Sequence, residues 1–376
     1  MMTASTTDST NNNTTVTLSN GVEMPVVALG TAPLSTRDDD TSHFNPLNSF
    51  HGFLPEQSYQ SLYAALEMNN DDADVDDVAV PIHIDTALYY RTHPHVRQVL
   101  GNALATGRKK RSDVFLTTKI FHPNFGDAWS TEDLGHCMPL DPKCEMTYDD
   151  VYSFVYRQFQ QSLHECGIGY FDLVLLHWPG RNHPNTDPAR NAEHRLAAWN
   201  VLEHCYSKGW ARAIGVSNFS ERHLEELQTM NEAAKKKEEE INTNTNGVVA
   251  VRPHVNQIEA SVFIQHRGIL DYCRVNGIVP TAYSPLGRGV NLVTTNETVQ
   301  SIATKYGKDA GQVAMKYLFQ KGYGCVAFWT TKAERVRSNH EIHDFVLDEK
   351  EISVLDELNR SDGTGTWGLM SPYEIP

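Results

Sequence analysis

Four polar side chains, placed at the ends of three short apolar runs, have the residue types that reduction of a carbonyl group requires. Asp85 and Tyr90 lie in HIDTALYY, Lys119 ends VFLTTK, and His177 ends LVLLH. Hydride addition builds negative charge on the carbonyl oxygen, so a proton donor and a neutralising group are needed there. A phenol has an ordinary pKa of about 10, which a neighbouring ammonium lowers. We therefore predict Tyr90 as the acid and Lys119 as its activator. Asp85 would hold Lys119, and His177 would orient the substrate oxygen.

Two of these residues also have an ordinary structural explanation. A lone tyrosine such as Tyr90 is most often a plain loop aromatic. A lone histidine at a strand end, as His177 would be, is most often buried and bonded to the backbone. The catalytic interpretation is favoured because the five-residue step from Asp85 to Tyr90 is followed by Lys119 and His177 at later strand ends.

The elements that would position these residues are short apolar, β-branched runs at 81–84, 114–116 and 173–176. Such runs are typical of strands. In a parallel sheet the carboxyl ends of consecutive strands lie side by side, and parallel α/β folds place their chemistry at that edge. We therefore expect the four side chains to converge.

Strand-like and helix-like segments alternate along the whole chain. The strand-like runs are 26–29, 81–84, 114–118, 173–176, 213–216, 255–258, 279–283 and 324–328. Apolar spacing typical of helices occurs at 59–67, 151–164, 196–206 and 269–275. Eight alternations predict an α/β fold, a single (β/α)8 TIM-type barrel. Ser-Asn-Gly between 15–18 and 22–24 predicts an N-terminal β-hairpin.

The remaining segments suggest a tail and large loop insertions. Residues 1–14 are mostly Thr, Ser, Asn and Asp and predict a disordered N-terminal tail, which leaves 15–376 as one barrel domain. The insertions are 35–55, 125–146 and 231–247. The first two follow the first and third strands, so we expect them to overhang the mouth of the barrel and shape a substrate pocket. The third predicts a helix extension that runs into a solvated loop.

Composition limits the partners and the compartment. The chain has 47 acidic and 32 basic residues, a formal net charge of −15, which disfavours non-specific binding to nucleic acid or anionic membranes. Six cysteines without a C-x-x-C pair favour reduced thiols. The sequence shows neither a secretory signal nor a membrane-spanning apolar stretch. We expect a cytosolic monomer or weak dimer that acts on a small-molecule carbonyl substrate.

Six ordered motifs carry a resemblance to a known family. They are IDTALYY, TTK, LLHWP, IGVSNF, VNQIE and AYSPLG, and the similarity extends from Thr15 to at least Leu358. The chain resembles the aldo-keto reductases. The resemblance implies NAD(P)H-dependent reduction of aldehydes, ketones or aldoses to alcohols, with hydride passing directly from the nicotinamide.

Cofactor residues are predicted at the later strand ends. Side-chain amides and hydroxyls suit the nicotinamide carboxamide, which needs a donor and an acceptor. The resemblance further implies that Tyr283 stacks on the nicotinamide and that Ser284, Leu286 and Gly287 follow the pyrophosphate. Trp178, beside His177, would line the substrate pocket. The full set of predicted cofactor-binding residues is Thr31, Asp85, Ser217, Asn218, Gln257, Tyr283, Ser284, Leu286, Thr330, Arg335 and Asn339.

The adenosine end departs from the family pattern Ile-Pro-Lys-Ser. Trp329 stands where the phosphate-pairing lysine is usual, and Thr330 stands where the serine is usual. Arg335 and Asn339, four residues apart, share one helix face and can still reach a 2′-phosphate or the adenine. Lys332, three residues after Trp329, would then be a partial substitute for the missing lysine. We favour NADPH, with NADH as the alternative.

Two more departures concern the substrate pocket. Ala32 follows Gly-Thr where the family often has tryptophan, and Arg91-Thr92 replace the familiar Asn-Glu after the tyrosine. Losing an aromatic wall predicts a wider or differently closed pocket than in well-known members.

The sequence disfavours three alternatives: a metal site, a regulatory module and a barrel enzyme of different chemistry. No metal is expected, because His93 with His95, and His136 with Cys137 and Cys144, do not form a four-ligand pattern. A non-catalytic, nicotinamide-sensing regulatory module of the same fold is the alternative, although retention of all four reactive residues disfavours it. A phosphate-handling barrel lyase or isomerase would need a Gly-rich loop after the seventh or eighth strand.

Overall fold

The computed structural model describes most of the chain in eight stretches. These are residues 13–32, 57–68, 81–121, 145–180, 187–241, 250–287, 293–360 and 371–376. The predicted insertion 35–55 and nearly all of 125–146 lie outside them, as do residues 1–12 of the predicted tail. Their disorder, and their placement over the mouth, stay predictions, as does the division into a tail and one domain.

Eight parallel strands close into a barrel, as predicted. Around the ring each strand pairs with the one that precedes it in the sequence, and the last strand of the barrel pairs with the first and so closes it. Nearly every residue in these strands is buried, which explains why their sequences are rich in apolar residues. The strands are β3 (Val27–Gly30), β4 (Ile82–Asp85), β5 (Val114–Ile120), β6 (Phe171–Leu176), β7 (Ala211–Ser217), β8 (Val255–Glu259), β9 (Val279–Tyr283) and β10 (Cys325–Phe328).

The predicted hairpin is present and closes the N-terminal end of the barrel. Strands β1 (Thr15–Thr17) and β2 (Glu23–Pro25) pair antiparallel. Gly21 adopts φ +82°, a left-handed conformation that favours glycine in this turn. Leu18 and Met24 are buried against inward-facing side chains of the barrel, including Phe115. The lower interior of the barrel is therefore filled mainly, but not entirely, with apolar side chains.

Helices lie between the strands and cover the outside of the barrel. Helix capping fixes where some of these helices begin. For example, at the start of one long helix the Thr147 hydroxyl accepts a hydrogen bond from Asp150 N–H, and the Asp150 carboxylate accepts one from Thr147 N–H. The α-helices are α1 (Gln57–Glu67), α2 (His93–Ala105), α3 (Tyr148–Cys166), α4 (Pro188–Ser207), α5 (Glu221–Ile241), α6 (Arg267–Val275), α7 (Glu297–Tyr306), α8 (Ala310–Gln320), α9 (Ala333–Ser338) and α10 (Glu349–Asp356). No helix in these described stretches is long and apolar enough to cross a membrane.

Helix α5 bears on the third predicted insertion, 231–247. The helix continues without a break to Ile241, so the predicted helix extension is found. The charged side chains of residues 235–240, near its end, are mostly exposed. Residues 242–249, where a solvated loop was expected, lie outside the described stretches.

Several histidines are buried inside the barrel and between its layers. His83 faces inward from β4, with Nδ1 at 3.1 Å from the Pro25 carbonyl oxygen and Nε2 at 2.9 Å from the Thr117 hydroxyl. Burial lowers the pKa of His83 to about 4, although the Pro25 carbonyl opposes the shift. Burial likewise lowers the pKa of His223 to about 3 and that of His266 to about 4.

These histidines predict that the protein loses stability in mild acid. Between pH 6.5 and about 4 the unfolded chain binds protons that native His83 does not, so stability rises with pH in this window. The contribution is complete above pH 6.5 and is lost as pH falls toward 4, on the order of 3 kcal/mol for His83 alone. Urea unfolding at a series of pH values measures it. A free energy of unfolding that stays flat from pH 7 to 5 would contradict the prediction, and His83→Gln should reduce the slope without removing it, because His223 and His266 still contribute.

Candidate active site

Asp85 and Lys119 form a buried ion pair at the carboxyl ends of two adjacent strands. Asp85 is the last residue of β4, and Lys119 is the last residue but one of β5. Lys119 Nζ lies 2.5 Å from Asp85 Oδ1, and the two side chains are 1% and 6% exposed. The same ammonium donates to the carbonyl oxygen of Thr86 at 3.1 Å. A buried pair of this kind is sustained only when hydrogen bonds compensate the loss of water.

Tyr90 completes the coordination of the ammonium. Its hydroxyl accepts a hydrogen bond from Lys119 Nζ at 3.3 Å, and Nζ lies 4.9 Å from the centre of its ring. Burial alone would lower the pKa of Lys119, but attraction to Asp85 and Tyr90, with their hydrogen bonds, raises it above its ordinary value. Lys119 is therefore a cation across the physiological pH range. The structure brings together three of the four residues predicted as catalytic.

A short turn presents the Tyr90 hydroxyl to this cation. Leu88–Tyr90 form one turn of 3₁₀ helix, and Arg91, in a left-handed conformation at φ 55°, ends it. Within the turn Leu88 and Tyr89 are buried, whereas Tyr90 is only half-buried. The turn thus anchors itself by its apolar side chains and leaves the Tyr90 side chain reachable from the mouth.

His177, the fourth predicted residue, lies beside Tyr90. It follows β6, is 8% exposed, and its ring meets the Tyr90 ring edge-on with centroids 5.6 Å apart. Phe121 stacks on its other side at 4.6 Å and 29°. Trp178, the predicted pocket wall, is half-buried next to His177. The imidazole is therefore held in an aromatic environment within reach of the phenol.

Phe121 and Gln158 are parts of this site that the sequence interpretation missed. Gln158 of α3 is 1% exposed, and its side-chain amide brackets the Phe121 backbone. Its Oε1 accepts from Phe121 N–H at 3.2 Å, and its Nε2 donates to the Phe121 carbonyl at 2.5 Å. Phe121 could have been predicted as part of the site, because it follows Lys119 by two residues. Nothing in the sequence linked Gln158 to that position.

One hydrogen-bonded cluster next to Asp85 contains Ser217, Asn218 and Gln257, the residues predicted to hold the nicotinamide carboxamide. Asn218 Oδ1 accepts from the Tyr283 hydroxyl at 2.8 Å, and Ser217 Oγ donates to the Gln257 carbonyl at 2.8 Å. Gln257 Nε2 donates to Asp85 Oδ2 at 2.9 Å. The cluster therefore adjoins the ion pair directly, a link that the sequence did not predict.

This cluster fits a nicotinamide ring. Ser217, Asn218 and Gln257 are at most 5% exposed, so their hydroxyl and amide groups lie in a site largely shielded from water. Tyr283 is half-buried at the end of β9, and its hydrogen bond to Asn218 fixes the ring orientation. A carboxamide needs a donor and an acceptor, which such groups offer, and an aromatic face suits a flat heterocycle.

The predicted pyrophosphate segment is a tight turn after β9. Ser284 has φ +55° and Gly287 has φ +67°, and Gly287 N–H donates to the Ser284 carbonyl at 2.9 Å. Leu286 is half-buried between them. The turn is compact enough for the close backbone approach that a pyrophosphate requires.

At the adenosine end the predicted residues lie around α9, which packs on α1. Arg335 is exposed on this helix, and Asn339, which caps its end, is 5% exposed. Thr330 is buried; its hydroxyl accepts from Lys332 N–H at 3.1 Å, and its carbonyl accepts from the Ser61 hydroxyl. Trp329 is half-buried. Arg335 thus offers an exposed guanidinium at the expected place.

Thr31 directly follows β3, is 1% exposed, and lies beside the end of β4. Its N–H donates to the Asp85 carbonyl at 2.9 Å, and its hydroxyl is 2.8 Å from that of Thr92. The Thr92 hydroxyl is also 3.0 Å from that of Thr86, whose carbonyl binds Lys119. These three threonines fix the end of β4; the sequence interpretation named Thr31 but missed Thr86 and Thr92.

The histidines weighed as metal ligands point to different partners. His93 is buried, with Nδ1 at 3.2 Å from Glu165 Oε2 and Nε2 at 3.0 Å from the Thr118 hydroxyl. His95 meets the Tyr59 ring edge-on at 4.5 Å. Among the described residues, no group of three or more His, Cys, Asp or Glu is arranged to hold a metal. The other candidates, His136, Cys137 and Cys144, lie outside those residues.

Comparison with known proteins agrees with this architecture. Glyoxal reductase of Bacillus subtilis is 28% identical over 351 residues, covering 93% of this chain and 95% of that protein. D-galacturonate reductase of Fragaria ananassa is 28% identical over 305 residues, covering 78% and 82%. A Bombyx mori aldo-keto reductase solved in complex with NADP has a TM-score of 0.64 at 26% identity, over 92% of each chain.

The family itself is established by a match over most of the chain. The family model described as "Aldo/keto reductase family" matches residues 53–360. That span contains every strand of the barrel except β3, and all four residues predicted as catalytic. The chain belongs to the aldo/keto reductase family.

Proposed function

We propose that the protein reduces aldehydes and ketones to alcohols with NADPH, using Tyr90 as the general acid. The observation that carries the proposal is the buried Lys119 ammonium, which contacts both the Asp85 carboxylate and the Tyr90 hydroxyl. A bound nicotinamide supplies the hydride. The Tyr90 hydroxyl donates its proton to the substrate oxygen, and Lys119 stabilises the phenolate that remains.

His177 orients the carbonyl. Its ring lies 5.6 Å from that of Tyr90 and is stacked on Phe121, so a ring N–H can reach an oxygen that also meets the phenol. Two donors at one oxygen restrict the angle at which the carbonyl enters, which favours transfer from one face. The surrounding aromatic rings exclude water from the reacting oxygen and strengthen both hydrogen bonds.

The cofactor is held by the residues predicted for it. Ser217, Asn218 and Gln257 bind the carboxamide, and Tyr283 stacks on the ring. The turn containing Ser284 and Leu286 follows the pyrophosphate. Thr31 supports the site by holding the end of β4 through its hydrogen bond to the Asp85 carbonyl. NADPH is preferred over NADH because Arg335 supplies an exposed cation for the 2′-phosphate, beside Thr330 and Asn339. The Bombyx mori relative solved with NADP supports this choice.

Arg335→Ala is expected to raise the KM for NADPH by about tenfold or more and to leave the KM for NADH nearly unchanged. A hydrogen bond between two charged groups contributes about 1.5–3 kcal/mol, and only NADPH carries the phosphate. Arg337→Ala is the matched control, because this exposed arginine is two residues away on α9 and faces elsewhere. Equal changes in both KM values would show that Arg335 does not read the phosphate.

The first test of the proposed function is the loss of nicotinamide absorbance with a reactive aromatic aldehyde. NADPH and NADH are assayed in parallel at equal concentration. Turnover with NADPH alone supports a reductase in which Arg335 suffices without the usual lysine, and comparable turnover with NADH means that Trp329 has relaxed phosphate selection. Tight cofactor binding without turnover on a panel of aldehydes would contradict catalysis and favour a regulatory module. Cytosolic location and a monomeric or weakly dimeric state stay predictions.

A further inference from the structure

The loop that carries His177 and Trp178 is held by a buried cation from a neighbouring helix. Arg195 of α4 is 1% exposed and is among the largest fully buried side chains. Its Nη1 donates to the Pro179 carbonyl at 2.6 Å, two residues after His177. Its Nη2 pairs with Glu226 Oε2 of α5 at 2.6 Å. One guanidinium therefore ties the loop to two helices at once.

The burial of Arg195 indicates that its charge is needed where it lies. Removing a guanidinium from water is unfavourable, and the contacts of Nη1 and Nη2 offset only part of that cost, because Nε is buried without a hydrogen-bond partner among the described residues. Burial lowers the pKa of Arg195 to about 10, although Glu226 opposes the shift, so it is still a cation at neutral pH. A methionine or leucine would fill the same space between α4 and α5 without this cost. The polar contact with Pro179 is what an apolar residue cannot supply.

Two further contacts hold the loop on either side of Pro179, so a hydrogen bond to the Pro179 carbonyl can set the position of the loop between them. At one end, Asn218 Nδ2 donates to the His177 carbonyl at 2.9 Å. At the other end, Gly180 packs so closely on Asn191 that a Cβ at position 180 would lie 2.5 Å from Asn191 Nδ2. Arg195 binds between these two points. Because proline has no N–H, its carbonyl is the one backbone polar group that Pro179 offers.

We propose that Arg195 is a positioning residue for His177, which sets the loop so that the imidazole meets the same substrate oxygen as Tyr90. The proposal rests on the proposed function. Its effect passes through the backbone from Pro179 to His177, and Arg195 itself touches neither substrate nor the predicted cofactor residues. A misplacement of about 1 Å in such a site can cost about a hundredfold in rate.

The proposal predicts a selective kinetic defect. Arg195→Met should lower kcat/KM for the aldehyde by about tenfold or more, while the dissociation constant for NADPH, from quenching of protein fluorescence, stays within about twofold. Arg195→Lys should recover part of the loss, because one ammonium can still donate to the Pro179 carbonyl. Arg190→Met is the matched control: it removes an arginine from the same helix, 40% exposed and paired with Glu193, and should leave kcat/KM unchanged.

A double-mutant cycle separates positioning from a general loss of structure. Arg195→Met is measured in the natural chain and again in a His177→Ala chain, with thermal unfolding recorded for all four proteins. Since Arg195 acts through His177, its removal should have little further effect on kcat/KM once the imidazole is gone. The same fold loss in both backgrounds would overturn the proposal and leave Arg195 a purely structural residue.

Failure of this proposal is distinct from failure of the proposed function. If Arg195→Met unfolds at the assay temperature, Arg195→Met with Glu226→Leu restores an apolar contact between α4 and α5 and replaces it in the cycle. Restored folding with kcat/KM still low supports positioning, whereas full recovery of kcat/KM overturns it. An unmodified protein that binds NADPH but reduces no aldehyde would instead refute the proposed function.

Discussion

Tyr90→Phe is expected to lower turnover by about a thousandfold while leaving the affinity for NADPH nearly unchanged. General acid catalysis contributes about a hundredfold to ten-thousandfold, and the phenol acts only as negative charge develops on the substrate oxygen. The aromatic ring is retained, so its edge-on contact with His177 and its position over Lys119 persist. Steady-state kinetics, with cofactor binding measured by fluorescence, distinguish these effects.

Tyr89→Phe is the matched control for this variant. Tyr89 is the adjacent phenol on the same turn, but it is buried and packs edge-on against Phe121 at 5.5 Å. We expect it to retain turnover within about tenfold, since its hydroxyl does not meet Lys119 Nζ. If both variants kept full turnover, proton donation from this turn would be excluded.

Lys119→Met is expected to abolish measurable turnover and to lower the free energy of unfolding by about 3–5 kcal/mol. The substitution removes the cation next to Tyr90 and leaves the Asp85 carboxylate buried with only Gln257 as a side-chain hydrogen-bond donor among the described contacts. Urea unfolding gives the stability change, and the nicotinamide absorbance assay gives the rate. A variant of natural stability would mean that the ion pair is not held as the structure shows.

Asp85→Leu combined with Lys119→Met separates the two effects. Replacing a buried ion pair by apolar side chains of similar size is often neutral or stabilising, so much of the lost stability should return. Turnover should not return, because no cation is left to stabilise the Tyr90 phenolate. Recovery of both would assign the pair a structural role alone.

The pH dependence of the ion pair follows from the raised pKa of Lys119. Its stabilising contribution is complete below the pKa of an unfolded lysine, about 10.4, and is lost only as pH rises through the higher native value. Lys119 therefore adds no pH dependence between pH 6 and 9. Acid sensitivity in the natural protein arises from the buried histidines instead.

The sequence was sufficient for the barrel because each strand is a short segment that contains buried apolar residues and alternates with helical segments. All eight predicted strands were found, and β9 (Val279–Tyr283) has the predicted limits. Others extend further than predicted: β5 runs to Ile120 and includes Lys119, since a buried cation that faces inward is compatible with a strand when Asp85 pairs with it. Apolar periodicity alone ends the strand before such a residue.

Helix α4 shows why some functional residues could not be predicted. Apolar spacing placed its start at residue 196, whereas it begins at Pro188, where Asp187 accepts a hydrogen bond from Ala189 N–H. The missing turns contain Asn191 and Arg195, which are buried and polar and so obscure the apolar face. Their partners, the C-terminal segment and the Pro179 loop, are distant in sequence.

The four residues predicted as catalytic do meet, because parallel strands bring their ends together. The roles assigned to the cofactor residues stay predictions. The structure shows one contact that was not predicted: the side-chain amide of Gln257 donates a hydrogen bond to Asp85. This amide therefore holds the ion pair, in addition to its predicted role in binding the nicotinamide carboxamide. Side-chain direction of this kind depends on the shear of the barrel, which a single sequence does not specify.

For the proposed mechanism, the hairpin at the foot of the barrel also limits the route by which Tyr90 would recover its proton. Leu18 and Met24 seal that end, and the apolar layer above them keeps bulk water from reaching Lys119 from below. In the proposed mechanism, the Tyr90 phenolate left after each reduction would then be reprotonated from the mouth, through the same opening by which the alcohol departs. Product that stays there would keep Tyr90 in the phenolate form, so the alcohol would have to leave before Tyr90 could donate a proton to the next substrate.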